Sequence, residues 1–269
     1  MEWFESVILG LIQGLTEFLP VSSSGHLEIG KELLGVQAKE DLMFTTMVHA
    51  ATVLSTIVVF RKQILCLLKG FFKFKYNDET DYLFKIAVSM VPIMIVGLFF
   101  KDQVESLFGT IQVVGIALLV TSALLFFSDM ASGRSSSKAE SVAFARNGIS
   151  YWQAFVVGIG QALAVIPGLS RSGTTISTGL ICGVRRDVMA QFSFLMVLVP
   201  ILGESFLEVV GGDFSTSSIG ALPLALGFIS AFVSGLFACK VMIALVKKAK
   251  LKWFAVYCLI AAASIFIFA

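Results

Sequence analysis

Charge is scarce in this chain: only 14% of its residues are Asp, Glu, Lys or Arg, where an ordinary soluble domain carries about 25%. With 57% hydrophobic residues and a mean hydropathy of +0.91, that scarcity excludes a water-soluble globule. The net charge of +2 is too small for a nucleic-acid surface, and no nucleic-acid partner is expected. Paired cysteine motifs are missing as well. Cys66, Cys182, Cys239 and Cys258 stand singly in apolar surroundings, without the spacing of a disulfide framework or a zinc site. The opening MEWFESVILG has two glutamates where a secretory signal carries Lys or Arg, so the first apolar stretch is expected to belong to the mature protein.

What the chain has is apolar length. Crossing a hydrocarbon core of about 30 Å takes about 20 helical residues, and six stretches approach that, near 43–60, 84–100, 111–128, 188–210, 219–245 and 252–269. The second contains Pro92, and the fifth is expected to tilt or bend around Pro223. Regions 4–35 and 151–184 read differently, because Pro, Gly and a Ser cluster interrupt each near its middle. Irregular backbone at membrane depth is tolerated only where protein or water covers it. Both regions are therefore expected to be re-entrant helical hairpins that border a site.

The two interruptions resemble each other. QGLTEFLPVSSSG at 13–25 and QALAVIPGLSRSG at 161–173 share Gln, Leu and the closing Gly at equal spacing. Three spans follow each hairpin, and an odd number of crossings inverts the second copy. The expected fold is an all-α polytopic integral membrane protein: six transmembrane helices plus two re-entrant hairpins in an inverted-topology repeat. A single membrane domain, 1–269, would hold a first repeat, 1–128, a cytoplasmic connector, 129–150, and a second repeat, 151–269. Positive charge agrees with this plan. Arg61, Lys62, Lys69, Lys73, Lys75 and Lys85 fall on one expected inner segment, Arg134, Lys138 and Arg146 on the next, and Lys247, Lys248, Lys250 and Lys252 on the third. The expected outer connections hold little beyond Lys31, Lys39 and Lys101.

Polar residues inside the hairpins carry the chemistry. Gln13 and Glu17, four apart, project from one helical face. An ionised residue near the bilayer centre costs about 2.5–3.5 kcal/mol on insertion scales, so Glu17 should face a polar cavity. Amide and carboxylate oxygens suit a hard divalent cation, magnesium or calcium. The run Ser22, Ser23, Ser24, Gly25, His26 offers hydroxyls, helix-start amides and an imidazole, which is what an anionic phosphate and its transfer require. Helix capping is the plainer role for Ser22 or Ser24. In the second copy, Ser170, Arg171, Ser172, Gly173 and Thr174 put an arginine at the tip of the break. A guanidinium binds phosphate oxygens bidentately and keeps its charge; its alternative, snorkelling, needs a helix end. His49 lies within a span and reads as a satisfied core histidine. Glu204 and Glu208 read as interfacial.

QGLTEFLPVSSSGH at 13–26, PGLSRSGTTIS at 167–177 and FSFLMVLVP at 192–200 carry a resemblance over nearly the whole chain. The sequence resembles the undecaprenyl pyrophosphate phosphatase family associated with bacitracin resistance. The resemblance implies hydrolysis of undecaprenyl diphosphate to the monophosphate, which recycles the lipid carrier of envelope polymers, in a multi-pass protein of the bacterial inner membrane with its site on the periplasmic side. It places the catalytic Ser, His and Arg on Ser23, His26 and Arg171, and the family's Glu or Gln followed four residues later by Glu on Gln13 and Glu17, where Gln13 supplies no charge. Ser22, Ser24, Gly25, Ser170, Ser172, Gly173 and Thr174 are the expected substrate-binding residues. Partners would be the lipid diphosphate and membrane lipid, with a homodimer left open. Ser23 as nucleophile with His26 carrying its proton stands beside the reverse assignment. A carrier that moves polyprenyl phosphate across the membrane is the rival reading, since inverted repeats with broken helices also build transporters.

Overall fold

A computed structural model describes residues 1–36, 41–107, 111–134, 146–211, 219–248 and 250–268. Among these, the regular structure is helical, with no strand. In chain order the helices are α1 (Trp3–Thr16), α2 (Ser23–Leu34), α3 (Asp41–Phe71), α4 (Asp78–Phe99), α5 (Lys101–Glu105), α6 (Ile111–Arg134), α7 (Tyr151–Leu163), α8 (Arg171–Ile181), α9 (Arg186–Gly211), α10 (Ala221–Lys248) and α11 (Lys252–Phe268). Half of the expected connector 129–150, residues 135–145, lies outside the described residues.

Among the described residues, five helices are long and apolar enough to cross a membrane: α3, α4, α6, α9 and α10. Large apolar side chains such as Leu98, Phe99, Phe237 and Ile267 point outward and are more than half exposed, a surface that fits lipid. The chain is a multi-pass membrane protein. The sixth expected span is the apolar helix α11, shorter at 17 residues. Two other expectations need correction. First, α3 does not stop near residue 60 but runs to Phe71, because no glycine or proline interrupts it before Gly70; Arg61, Lys62 and Lys69 therefore sit on a helix. Second, Pro223 occupies the first turn of α10, where the missing N–H breaks no helical hydrogen bond, so it imposes no bend.

Both interrupted regions are pairs of short helices, α1–α2 and α7–α8, and the interruptions fall where the Pro, Gly and Ser residues stand. Each second helix starts with the same cap. Ser22 Oγ accepts from Gly25 N at 3.2 Å, and Ser170 Oγ accepts from Gly173 N at 3.1 Å. Gly168 has φ +86°, and a side chain there would meet the Val114 backbone at 2.7 Å, so the second break needs glycine twice over.

The halves interlock. α1 lies along α10, and α7 lies along α4. A Cβ at Gly10 would stand 2.4 Å from the Gly227 carbonyl oxygen, one at Gly14 would stand 2.0 Å from Ser234 Oγ, and one at Gly158 would stand 2.3 Å from the Ser89 carbonyl oxygen. Ser230 Oγ donates to the Val7 carbonyl at 2.8 Å across the first seam. A polar junction also fastens the start of α4 to the turn before α7. Lys85, counted above as loop charge, is instead buried; its Nζ donates to Asp81 Oδ2 at 2.6 Å and to the Arg146 carbonyl at 2.5 Å. Tyr76 and Tyr151 hydroxyls donate to Asp81 Oδ1 at 2.7 and 3.0 Å, and Asn147 Nδ2 donates to Oδ2 at 2.9 Å. Every oxygen of that buried carboxylate is satisfied, as burial demands.

Candidate active site

The two interruptions meet. Gly168 N donates to Ser24 Oγ at 3.4 Å, and Ser172 Oγ donates to the Leu19 carbonyl at 3.1 Å. Behind them, Phe18 packs edge-on against Phe194 with ring centroids 6.0 Å apart, and Ser193 Oγ lies 2.6 Å from Thr175 Oγ1. The segment 192–200 thus forms the wall against which both breaks are held.

Glu17 is the hub of this contact, with only 8% of its side chain exposed. One carboxylate oxygen, Oε2, accepts from Ser23 Oγ at 2.5 Å and from Gln13 Nε2 at 2.8 Å. The other, Oε1, faces Arg171 Nη2 at 3.6 Å. The guanidinium comes from the start of α8 and the carboxylate from the end of α1, so the charge of each stands near its opposite only when both interrupted regions are in place. The 2.5 Å contact is short, as expected of a hydroxyl donating to a carboxylate. It makes Glu17 the group placed to take the Ser23 proton.

The expected proton pair Ser23–His26 is not formed. His26 Nδ1 stands 2.8 Å from the Ser22 carbonyl, and Nε2 stands 2.7 Å from the Tyr257 hydroxyl, with the two rings stacked at 5.5 Å. A carbonyl oxygen only accepts, so Nδ1 carries a hydrogen, and Nε2 pairs with the Tyr257 hydroxyl. α11 reaches the same break a second time, through Cys258 Sγ donating to the Pro20 carbonyl at 3.6 Å.

Of the other expected residues, Ser22 and Ser170 hold helix starts with their hydroxyls. Ser24 bridges the two breaks, while Gly25 and Gly173 sit in close quarters, a Cβ at Gly173 meeting Pro20 Cβ at 3.3 Å. Thr174 Oγ1 is buried and makes no hydrogen bond among the described residues, and the same holds for Gln13 Oε1. A cavity of about 20 Å³ touches Glu17, Thr52, Arg171 and Ser193 on its polar part and Val197 and Leu198 on its apolar part. It has room for a water or two and is lined by residues of α3, α8 and α9 together with Glu17 and Phe18.

Two residues of the site escaped the reading of the sequence. His49 brings Nε2 to 3.9 Å from Glu17 Oε2 while Nδ1 stands 2.8 Å from the Thr45 carbonyl. An ionisable residue inside a span is rare enough to have signalled it. Tyr257 lies 231 residues from its partner His26, and nothing in its own segment marks it.

The profile of the family described as bacitracin resistance protein BacA matches residues 6–264. The chain belongs to that family. Among its relatives, the undecaprenyl-diphosphatase of Parabacteroides distasonis is 54% identical over 97% of this chain and 96% of its own. That of Bacteroides fragilis is 53% identical over the same shares. A distant member, the undecaprenyl-diphosphatase of Methanosphaera stadtmanae, remains 36% identical over 97% of this chain and 95% of its own. Family membership thus covers both interrupted regions and the wall behind them.

Proposed function

We propose that the protein hydrolyses undecaprenyl diphosphate to undecaprenyl phosphate and inorganic phosphate, recycling the lipid carrier and conferring bacitracin resistance. The observation that carries this reading is the Ser23–Glu17–Arg171 contact, a nucleophile, a base and a phosphate-binding cation contributed by two halves of a membrane protein. Ser23 Oγ attacks the terminal phosphorus as its proton passes to Glu17 Oε2. The bond to the bridging oxygen breaks, undecaprenyl phosphate leaves, and the phosphoryl group rests on Ser23. Water then attacks the phosphoserine, Glu17 returns the proton to Ser23 Oγ, and inorganic phosphate departs. Arg171 holds the non-bridging oxygens through both steps, where charge develops. His26, held by Ser22 and Tyr257, borders the serine cluster and offers the exit for the proton released by water.

Gln13 and Glu17 fit a divalent cation, magnesium or calcium. The amide oxygen of Gln13 is buried without a partner, and no group of three or more His, Cys, Asp or Glu ligands occurs among the described residues. A site with so few protein ligands suits an ion that takes its remaining ligands from substrate oxygens and water. Such an ion would neutralise charge on the diphosphate. α1–α2 and α7–α8 act as re-entrant hairpins of an inverted repeat in the bacterial inner membrane, their tips opening to the periplasmic side. Their helices of 14, 12, 13 and 11 residues support this, being too short to cross alone.

Rapid quench with labelled lipid diphosphate tests the mechanism: wild-type protein should accumulate an acid-stable phosphoserine that Ser23→Ala lacks, together with its phosphate release. Wild-type turnover with no phosphoenzyme at any time would overturn the nucleophile assignment.

A further inference from the structure

His49 has the geometry of a metal ligand. Its Nδ1 lies 2.8 Å from the carbonyl of Thr45, one turn earlier in α3. Because that oxygen can only accept, Nδ1 carries a hydrogen, and Nε2 is the nitrogen left to face Glu17. Histidines that bind metals are held in this way, with the second nitrogen donating to a carbonyl or carboxylate.

The spacing of Nε2 from Glu17 Oε2 is the second observation. At 3.9 Å it is too long for a hydrogen bond, which ends near 3.2 Å. It is also shorter than the sum of two ligand distances of about 2.1 Å each, so one ion can touch both atoms. The third observation is Gln13, fully buried, whose Oε1 has no partner among the described residues although its Nε2 reaches the same Glu17 oxygen at 2.8 Å. Turning that amide end for end would bring its oxygen to the side where the carboxylate and the imidazole already stand. Arg171 faces the other carboxylate oxygen, so a cation would share Oε2 with the Ser23 hydroxyl, which donates to it at 2.5 Å.

We propose that His49 is a nitrogen ligand of the cation site formed with Glu17 and Gln13, so that this chain takes a first-row divalent transition ion in preference to calcium. The inference rests on the reading of Gln13 and Glu17 as a cation site. One imidazole among oxygens favours ions that accept nitrogen, whereas calcium seeks oxygen alone.

Manganese(II) is the probe, followed by electron spin resonance on the purified, detergent-solubilised full chain without substrate. Wild-type protein should bind Mn²⁺ with nitrogen modulation in the spin-echo signal. His49→Gln should lose that modulation and weaken Mn²⁺ by about tenfold or more, while Ca²⁺ affinity, measured by titration calorimetry, does not fall. Retained Ca²⁺ binding also reports that the variant is folded. Bound Mn²⁺ without nitrogen modulation in the wild type overturns the proposal without recourse to any variant, as does equal Mn²⁺ affinity in wild type and His49→Gln. Glu17→Gln separates the two levels: Mn²⁺ binding that survives it removes the cation site itself, whereas binding lost in Glu17→Gln but intact in His49→Gln removes only the histidine.

Discussion

Arg171 is the residue whose loss should be felt most sharply, because it faces both the buried Glu17 carboxylate and the place where phosphate oxygens would sit. Arg171→Ala is expected to lower phosphate release by about a hundredfold or more, the scale of removing one charge-stabilising donor. Arg171→Lys should restore only part, since a point charge lacks the planar fork; full activity in Arg171→Ala would remove the clamp. Tyr257→Phe removes one hydrogen bond to His26, worth about 1 kcal/mol, so kcat should fall about fivefold with KM unchanged. Coupling to His26 can be checked by a double-mutant cycle, in which Tyr257→Phe has no further effect once His26 is Asn. At this scale the sequence was informative about residues that stand within one motif. Gln13, Glu17 and Arg171 stood out by spacing and chemistry and Ser23 by resemblance to the family, and the structure brings the four together. The partner of Ser23 was not, because the proton route depends on how Pro20 and Val21 turn the chain back on α1. His49 and Tyr257 arrive from α3 and α11, and only packing brings them in.

Among elements, the close approaches of glycine decide the packing. Gly14→Ala would push a methyl group into Ser234 Oγ and the Ala231 carbonyl, and overpacking of this kind costs about 1–3 kcal/mol. Thermal unfolding in detergent should therefore show a lower Tm for Gly14→Ala. Gly97→Ala, in α4 where nothing lies within 4 Å of the added carbon, should leave the Tm unchanged or raise it. A fall of equal size in both would mean that the seam between α1 and α10 is not the cause. The breaks of the two hairpins were readable because Pro, Gly and Ser act locally on the backbone. Helix ends set by tertiary contact were not: α3 runs on past its apolar stretch, since charged residues extend a helix into water as readily as they end one.

Over the whole molecule, the buried Asp81–Lys85 pair joins the first repeat to the second. Lys85→Met would leave the Asp81 carboxylate buried with three neutral donors and no cation, which should cost about 3 kcal/mol, at the lower end for a broken buried pair. Chemical denaturation should show that loss, and an unchanged midpoint would mean that the hydroxyls of Tyr76 and Tyr151 with Asn147 suffice. The similarity of the two motifs was visible in the sequence; the docking of α1 on α10 and of α7 on α4 was not, because small residues that permit close approach carry no address. That docking has a consequence for how the protein is made. Val7 and its partner Ser230 are separated by 223 residues, and a ribosome adding about 5–20 residues per second takes roughly 10–40 s to cover that distance. For that time α1, with Glu17 at its end, waits in or beside the bilayer without the surface that will cover it. Until then only lipid or water covers the first helix, and the contact between the two interrupted regions can form only after residues 151–184 have been made.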